Sequence, residues 1–149
     1  MLKSALNMTS NVKFAQITEL NQRVKLKVAP SKIEGVGVFA LRDIKKGEKL
    51  YLDHMPVMYN VRYADFGKLD DVVKEFLLGR WPNIVNGSVF AYPDCRYSAF
   101  LNHSDTPNVD AKNDVALADI PKGEELAEDY RLVESYQQIF PWLDKKKDV

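Results

Sequence analysis

One stretch of this chain occurs twice. Ala40-Leu41-Arg42-Asp43-Ile44-Lys45-Lys46-Gly47-Glu48-Lys49-Leu50 returns as Ala116-Leu117-Ala118-Asp119-Ile120-Pro121-Lys122-Gly123-Glu124-Glu125-Leu126. In each copy an apolar run ends at an aspartate, whose carboxylate can accept hydrogen bonds from nearby backbone amides in a turn. A glycine follows, free to take the positive φ that tight turns require. A second extended run then leaves the turn. Two copies predict two similar strand-turn-strand units and exclude a solenoid, which needs more repeats.

The remaining sequence reads as further short strands. Arg23-Val24-Lys25-Leu26-Lys27-Val28 alternates polar and apolar residues with period two, the pattern of a half-buried strand. Val36 to Leu41 and Lys49 to Asp53 are the next two predicted strands. Val85 to Tyr92 and Val109 to Leu117 hold more, broken by turns at Asn86-Gly87 and Asn113-Asp114. One helix interrupts the series. Leu69, Val72, Val73, Phe76 and Leu77 share a face, Asp70 and Asp71 occupy the first turn, and Gly79 ends it before Trp81-Pro82. A weaker helical pattern runs from Leu132 to Ile139 and stops at Phe140-Pro141-Trp142. The predicted class is mainly β with a few helices, built from small sheets.

A length of 149 residues suits one domain, and 46% hydrophobic residues suffice for a core. Lysine plus arginine equals aspartate plus glutamate, 21 against 21, so no overall field draws the chain to nucleic acid or an anionic membrane. Lys145-Lys146-Lys147 reads as a solvated tail. Cys95 is the only cysteine, which rules out an intrachain disulfide and a multi-cysteine zinc site and favours a reducing, cytoplasmic setting. No segment approaches the ~18 apolar residues that span a bilayer, and residues 1–21 carry no long apolar leader core. Met1 to Asn21 is expected to be an arm or a short helix.

Three segments carry chemistry. Gly35-Val36-Gly37-Val38-Phe39 sets two glycines before an apolar strand, where backbone can approach a ligand closely or simply turn tightly. It lacks the third glycine of a dinucleotide fold and the lysine of a phosphate loop. Phe100-Leu101-Asn102-His103-Ser104-Asp105-Thr106-Pro107-Asn108 is an irregular loop crowded with hydrogen-bonding groups. His54 and Cys95 do not complete a metal set around His103, and no nucleophile-elbow glycines surround Ser104. Glu124-Glu125-Leu126-Ala127-Glu128-Asp129-Tyr130 is acidic, ends in tyrosine and matches no calcium loop.

Together and in this order, the three segments resemble the SET domain. That family carries an early Gly-x-Gly-aromatic segment, then an Asn-His-Ser loop with a following Pro-Asn, then Glu-Leu-x-x-Asp-Tyr; it also carries the doubled Asp-Ile-x-x-Gly-Glu hairpin. The resemblance runs from about Val24 to Arg131. It implies an arm at 1–22, a SET domain at 23–131 with a variable helical insert near 64–82, and a C-terminal helix and tail at 132–149. The implied fold is a β-clip-like set of small sheets with a C-terminal pseudoknot, in which the Asn102 and Glu125 segments are tucked together. The implied activity is S-adenosylmethionine-dependent methylation of a lysine in a protein or peptide, with no metal. By the same resemblance, the backbone around Val36, Gly37, Val38 and Phe39 contacts the cofactor's methionine part. Asn102 and the backbone of His103 hold its adenosine and amino-acid ends. Tyr130 stands where the methyl donor and the lysine nitrogen meet.

The reaction has physical demands that such a site meets. A lysine nitrogen attacks only when neutral, and its unperturbed pKa is ~10.4. An apolar channel beside a sulfonium lowers that value, and a phenol orients the reactants without adding charge. Two positions depart from the family pattern. Glu128 replaces a frequent aromatic residue, and Asp53 replaces a frequent tyrosine. If both faced the lysine they would favour its protonated form, leaving as a second reading a SET module that binds cofactor or a protein without catalysis. The cysteine-rich tail that follows some members of the family is not expected here, in keeping with the single Cys95. Phe140 and Trp142 either stack on the adenine, Trp142 foremost, or pack the last helix on the core.

Overall fold

In the computed structural model, which describes residues 17–53, 59–79, 83–85, 88–91 and 96–145, the two copies of the repeat meet in an antiparallel bridge between Ile44 and Ile120. The elements in chain order are α1 (17–23), β1 (Leu26–Pro30), β2 (Val36–Ala40), β3 (Tyr59–Arg62), α2 (Asp71–Leu78), β4 (Asn83–Val85), β5 (Ser88–Ala91), β6 (Asn102–His103), β7 (Val109–Asp110), β8 (Val115–Ala116), β9 (Glu125–Glu128), α3 (Tyr136–Ile139) and α4 (Trp142–Lys145). His54, Trp81-Pro82, the Asn86-Gly87 turn, Tyr92, Cys95, Lys146, Lys147 and residues 1–16 lie outside the described residues. Contacts group the chain into two compact units, one of residues 26–50 with 97–149, the other of 1–25 with 51–96.

The first of these units is organised by the repeat. Ile44 and Ile120 exchange backbone hydrogen bonds, both 2.8 Å. The Lys46 amide donates to the Asp119 carboxylate, and the Lys122 amide donates to Asp43, again 2.8 Å each. Gly47 donates to the Ala116 carbonyl and Gly123 to the Ala40 carbonyl. Every bond recurs with the copies exchanged, a local two-fold relation. The sequence reading expected each aspartate to serve its own turn; instead each serves the turn of the other copy. Equivalent apolar positions are equally hidden: Ala40 and Ala116, Ile44 and Ile120, Leu50 and Leu126 are all at most 2% exposed. Gly47 and Gly123 take φ of 84° and 88°, which their turns demand of a residue without a β-carbon.

From this core a four-stranded sheet extends in the order β1-β2-β9-β6. The β1, β2 and β9 strands are antiparallel neighbours, whereas β6 runs parallel to β9 with Asn102 opposite Ala127. The Asn102 and Glu125 segments thus lie side by side. Asn108 extends that contact with its side chain, donating to the Glu125 carbonyl and accepting from the Ala127 amide, so it completes the edge of β9 where strand pairing stops. Beneath the sheet the buried Tyr97 satisfies its hydroxyl on the Leu26 carbonyl at 3.0 Å. The β7 and β8 strands form a separate two-stranded ribbon.

In the other unit β3, β5 and β4 form an antiparallel sheet, and α2 buries Val73 and Leu77. The Asn21 side chain of α1 accepts from the Asp70 amide at the start of α2, at 2.8 Å. The Gly79 amide closes the last turn on the Glu75 carbonyl.

Three predicted elements differ. The strand expected at Arg23 begins at Leu26, because the Val24 amide still bonds the Leu20 carbonyl and keeps the chain helical up to that point. Lys49 to Asp53 is not a strand: only Lys49 makes a bridge, to Val115, and Tyr51 turns the chain at φ 58°. The helix expected from Leu132 to Ile139 is broken by Ser135 at φ 60°, which leaves a 3-10 turn at Tyr130–Leu132 and the single turn of α3.

Candidate functional site

The loop between β1 and β2 is tied by its own serine. Ser31 Oγ accepts from the amides of Ile33 and Glu34, the Ser31 amide donates to the Gly35 carbonyl, and Gly35 turns at φ 47°. Asn102, only 8% exposed, reaches this loop from β6. Its amide nitrogen lies 3.1 Å from Ser31 Oγ, 3.1 Å from the Glu34 carbonyl and 3.0 Å from the Val36 carbonyl. Asn102 therefore holds the loop at both ends.

Gly37 has a different reason to be glycine. A β-carbon there would sit 2.6 Å from Glu125 Oε1 and 3.1 Å from Asn102 Nδ2. The clearance that the sequence suggests for a ligand is filled by these two side chains. Ser31 donates its hydroxyl to Glu125 Oε2 at 3.0 Å, whereas Glu125 Oε1 is buried with no hydrogen-bond partner among the described residues.

On the other side of Asn102, His103 and Tyr130 are linked through the backbone. The Tyr130 amide donates to His103 Nδ1 at 3.1 Å, and His103 Nε2 lies 2.9 Å from Asp105. A nitrogen that accepts an N–H carries no proton, so the pattern assigns the neutral tautomer with hydrogen on Nε2, directed to Asp105. The 3.8 Å approach of Nδ1 to Asp129 is accordingly no ion pair. Asp129 instead caps the turn at Tyr130 by accepting from the Arg131 amide, and it pairs with the Arg131 guanidinium at 2.8 Å. That guanidinium hydrogen bond holds the Asp129 carboxyl below the usual range; the bond from His103 does the same for Asp105.

The phenol of Tyr130 donates to the Leu101 carbonyl. Burial, and secondarily the charge of Glu128, push its pKa above the usual tyrosine value. Phe140 stacks on the Tyr130 ring at 4.4 Å between centroids, and Trp142 meets the rings of His103, Tyr130 and Phe140 edge-on at 6.1 to 6.3 Å. Leu143, 7% exposed, anchors α4 in the core, while Trp142 stays 44% exposed. Phe140 thus packs on Tyr130, and Trp142 is left facing a cavity.

That cavity measures about 430 Å³ and is lined by Ile33, Glu34, Asn102, His103, Tyr130 and Trp142. Four residues expected from the sequence meet there: Asn102, His103, Tyr130 and Trp142. Val36, Gly37, Val38 and Phe39 are not among the lining residues; they form β2, where Val38 pairs with Leu126 and Phe39 with Glu125. The preceding loop lines the cavity through Ile33 and Glu34. Sequence reasoning passed over that loop, although Pro30-Ser31 followed by Gly35 is a turn signal. Glu128 is half-buried in β9, and Asp53 belongs to the other unit and is exposed.

A family model for the SET domain matches residues 35–131 of the chain. Among solved structures, a Plasmodium falciparum protein assigned as a histone methyltransferase is 20% identical, covers 72% of this chain and 94% of its own, and overlaps with a TM-score of 0.38. Chaetomium thermophilum Polycomb Repressive Complex 2 in an autoinhibited conformation bound to S-adenosylmethionine is 17% identical, with 85% of this chain and 17% of that chain covered, at a TM-score of 0.42. A humanized mutant of the same complex bound to the inhibitor GSK343 is 20% identical over 80% and 17% of the two chains, also at 0.42. The chain therefore spans less than a fifth of the Polycomb chains it overlaps. At these TM-scores the overlaps add nothing about activity. No curated protein sequence matches the chain.

Proposed function

We propose, from the premise that the chain belongs to the SET-domain family, that it transfers a methyl group from S-adenosylmethionine to the side-chain nitrogen of a protein lysine. The observation that carries this reading is the meeting of Asn102, His103, Tyr130 and Trp142 on one cavity. Its volume, about 430 Å³, lies within the usual range for sites of small ligands. The residues fit a molecule with a flat aromatic end and a polar, charged end. Trp142 offers an indole to the first, and Asn102 and Glu34 offer polar groups to the second.

When bound, S-adenosylmethionine supplies a methyl group already activated by its sulfonium, so the protein's task is chiefly alignment. Asn102 holds the Ser31–Gly35 loop, and with it one wall of the cavity. His103 holds the backbone of Tyr130 through Nδ1, and Asp105 keeps that nitrogen free to accept. Tyr130 remains a neutral phenol because of its burial, and its hydroxyl proton is spent on Leu101. The phenolic oxygen then presents lone pairs and no full charge, which orients an amine without locking it in the ammonium form.

Glu128 favours a second reading, a SET module that binds cofactor or protein without turnover. Its charge is close enough to act on Tyr130, and an anion there stabilises a protonated lysine. Transfer of labelled methyl to a peptide library, with the wild-type protein and Tyr130→Phe, separates the two. Calorimetric binding of cofactor to the wild type runs alongside. Transfer that falls at least tenfold in Tyr130→Phe supports the enzyme, and equal transfer removes Tyr130 from the chemistry. Binding without transfer supports the module, and the absence of both rejects the cavity as a donor site.

A further inference from the structure

Among the described residues, no lysine or arginine lines the cavity. The six that do are one aliphatic, two aromatic, a histidine, an asparagine and one carboxylate, Glu34. Arg131, the cation beside this cluster, is spent on Asp129 at 2.8 Å and Asp105 at 3.3 Å. A second carboxylate stands behind the polar wall. Ser31 Oγ bonds both Asn102 Nδ2 at 3.1 Å and Glu125 Oε2 at 3.0 Å, so one hydroxyl separates Glu125 from a lining residue. Glu125 Oε1 is buried and has no hydrogen-bond partner among the described residues. An unpaired buried carboxylate oxygen is costly and calls for a partner that the folded chain does not itself provide. Glu125 does not line the cavity, so a cation there meets its charge only across Ser31 and Asn102, as a coulombic attraction and not as a hydrogen-bond partner.

We propose that this acidic wall, Glu34 on the rim and Glu125 behind Asn102, makes the cavity read the charge of its ligand and bind the methyl donor in preference to the demethylated product. The inference rests on the reading of the cavity as the donor site. Donor and product differ there by one unit of charge. In the transfer the lysine nitrogen's lone pair forms the new N–C bond, the C–S bond breaks, and its electron pair stays on sulfur. The sulfonium becomes a neutral thioether, while the positive charge passes to the methylated nitrogen, which then loses a proton to solvent. The attraction of Glu34 and Glu125 for the sulfonium ends at the step that makes product. The same wall that captures the donor thus releases what is left of it.

Isothermal titration of S-adenosylmethionine and S-adenosylhomocysteine into wild type, Glu34→Gln, Glu125→Gln and Glu125→Asp tests this. A full charge acting across a partly buried wall changes affinity about tenfold. The wild type is expected to favour the donor, each glutamine variant to reduce the donor-to-product affinity ratio several-fold, and Glu125→Asp to retain it. Equal loss for both ligands makes Glu125 a purely structural residue and overturns the inference. An unchanged ratio in both glutamine variants also overturns it, and leaves the donor-site reading intact. A wild type that binds neither ligand overturns that reading and the inference with it. Glu34 is exposed on a loop, so its variant supplies the ratio even if Glu125→Gln unfolds.

Discussion

At Gly35 an added side chain would meet open space, yet the backbone stands at φ 47°; at Gly37 the backbone is ordinary strand, yet a β-carbon would strike Glu125 Oε1 at 2.6 Å. The two glycines of one motif therefore answer to different physics, and substitutions tell them apart. Gly35→Ala is expected to cost about 1 kcal/mol, and Gly35→Asn less, since asparagine tolerates the left-handed region. Gly37→Ala forces Glu125 off its hydroxyl partner and is expected to cost about 1–3 kcal/mol, with Gly37→Asn worse. Urea unfolding of the four variants checks the crossed order. Titration belongs to this scale too. Asp129 and Asp105 have lowered pKa values in the fold, so their contribution is present above about pH 4 and is lost as pH falls through the lowered values. Tyr130 has a raised pKa, so its contribution is present below about pH 10 and is lost as pH rises through the raised value. Melting temperature against pH should form a plateau between those limits. Asp129→Asn should soften its acid edge, and Tyr130→Phe its alkaline edge.

Among elements, the repeat makes the sharpest demand. Asp43 and Asp119 occupy equivalent places and accept equivalent amide hydrogen bonds, each 2.8 Å. Asp43→Ala and Asp119→Ala should therefore destabilise by the same amount, about 1 kcal/mol each. Chemical denaturation that found one several times costlier than the other would deny the two-fold relation. The repeat was plain in the sequence, but its pairing was not. Periodicity and turn residues describe what a segment does locally, and the partner of each aspartate lies more than seventy residues away. The same limit explains the other misreadings. Alternation from Arg23 to Val28 looks like a strand until the Leu20 carbonyl captures the Val24 amide, and nothing in Lys49 to Asp53 announces the positive φ of Tyr51. Asn102, His103 and Tyr130 were legible because the segments that hold them resemble, in order, the SET-domain pattern, while Trp142 was left between stacking on a ligand and packing on the core. Ser31, Ile33 and Glu34 were not, because an ordinary turn becomes a cavity wall only when Asn102 arrives from 71 residues downstream.

For the whole molecule, ligand binding should leave a map. With S-adenosylmethionine at about 100 times its dissociation constant, the fold gains roughly 2.7 kcal/mol. Amide hydrogen exchange should slow at 31–36, 102–104 and 130–143, the segments tied to the cavity, and uniform slowing along the chain would argue for binding elsewhere. Trp142 is 44% exposed and borders the cavity, so its emission should respond to the ligand and the response should vanish in Trp142→Phe. The reciprocal turns carry a further consequence, for synthesis. A ribosome adding about 5–20 residues per second delivers the first copy of the repeat roughly ten seconds before the second. During that interval the amides of Lys46 and Gly47 have only water to bond, since their acceptors, Asp119 and Ala116, are still untranslated. The early turn cannot close by itself, and a nascent chain halted before Glu125 would carry the first copy of the repeat as an unclosed segment exposed to proteases. This part of the protein becomes stable late and in one step, when its second aspartate and second glycine leave the exit tunnel.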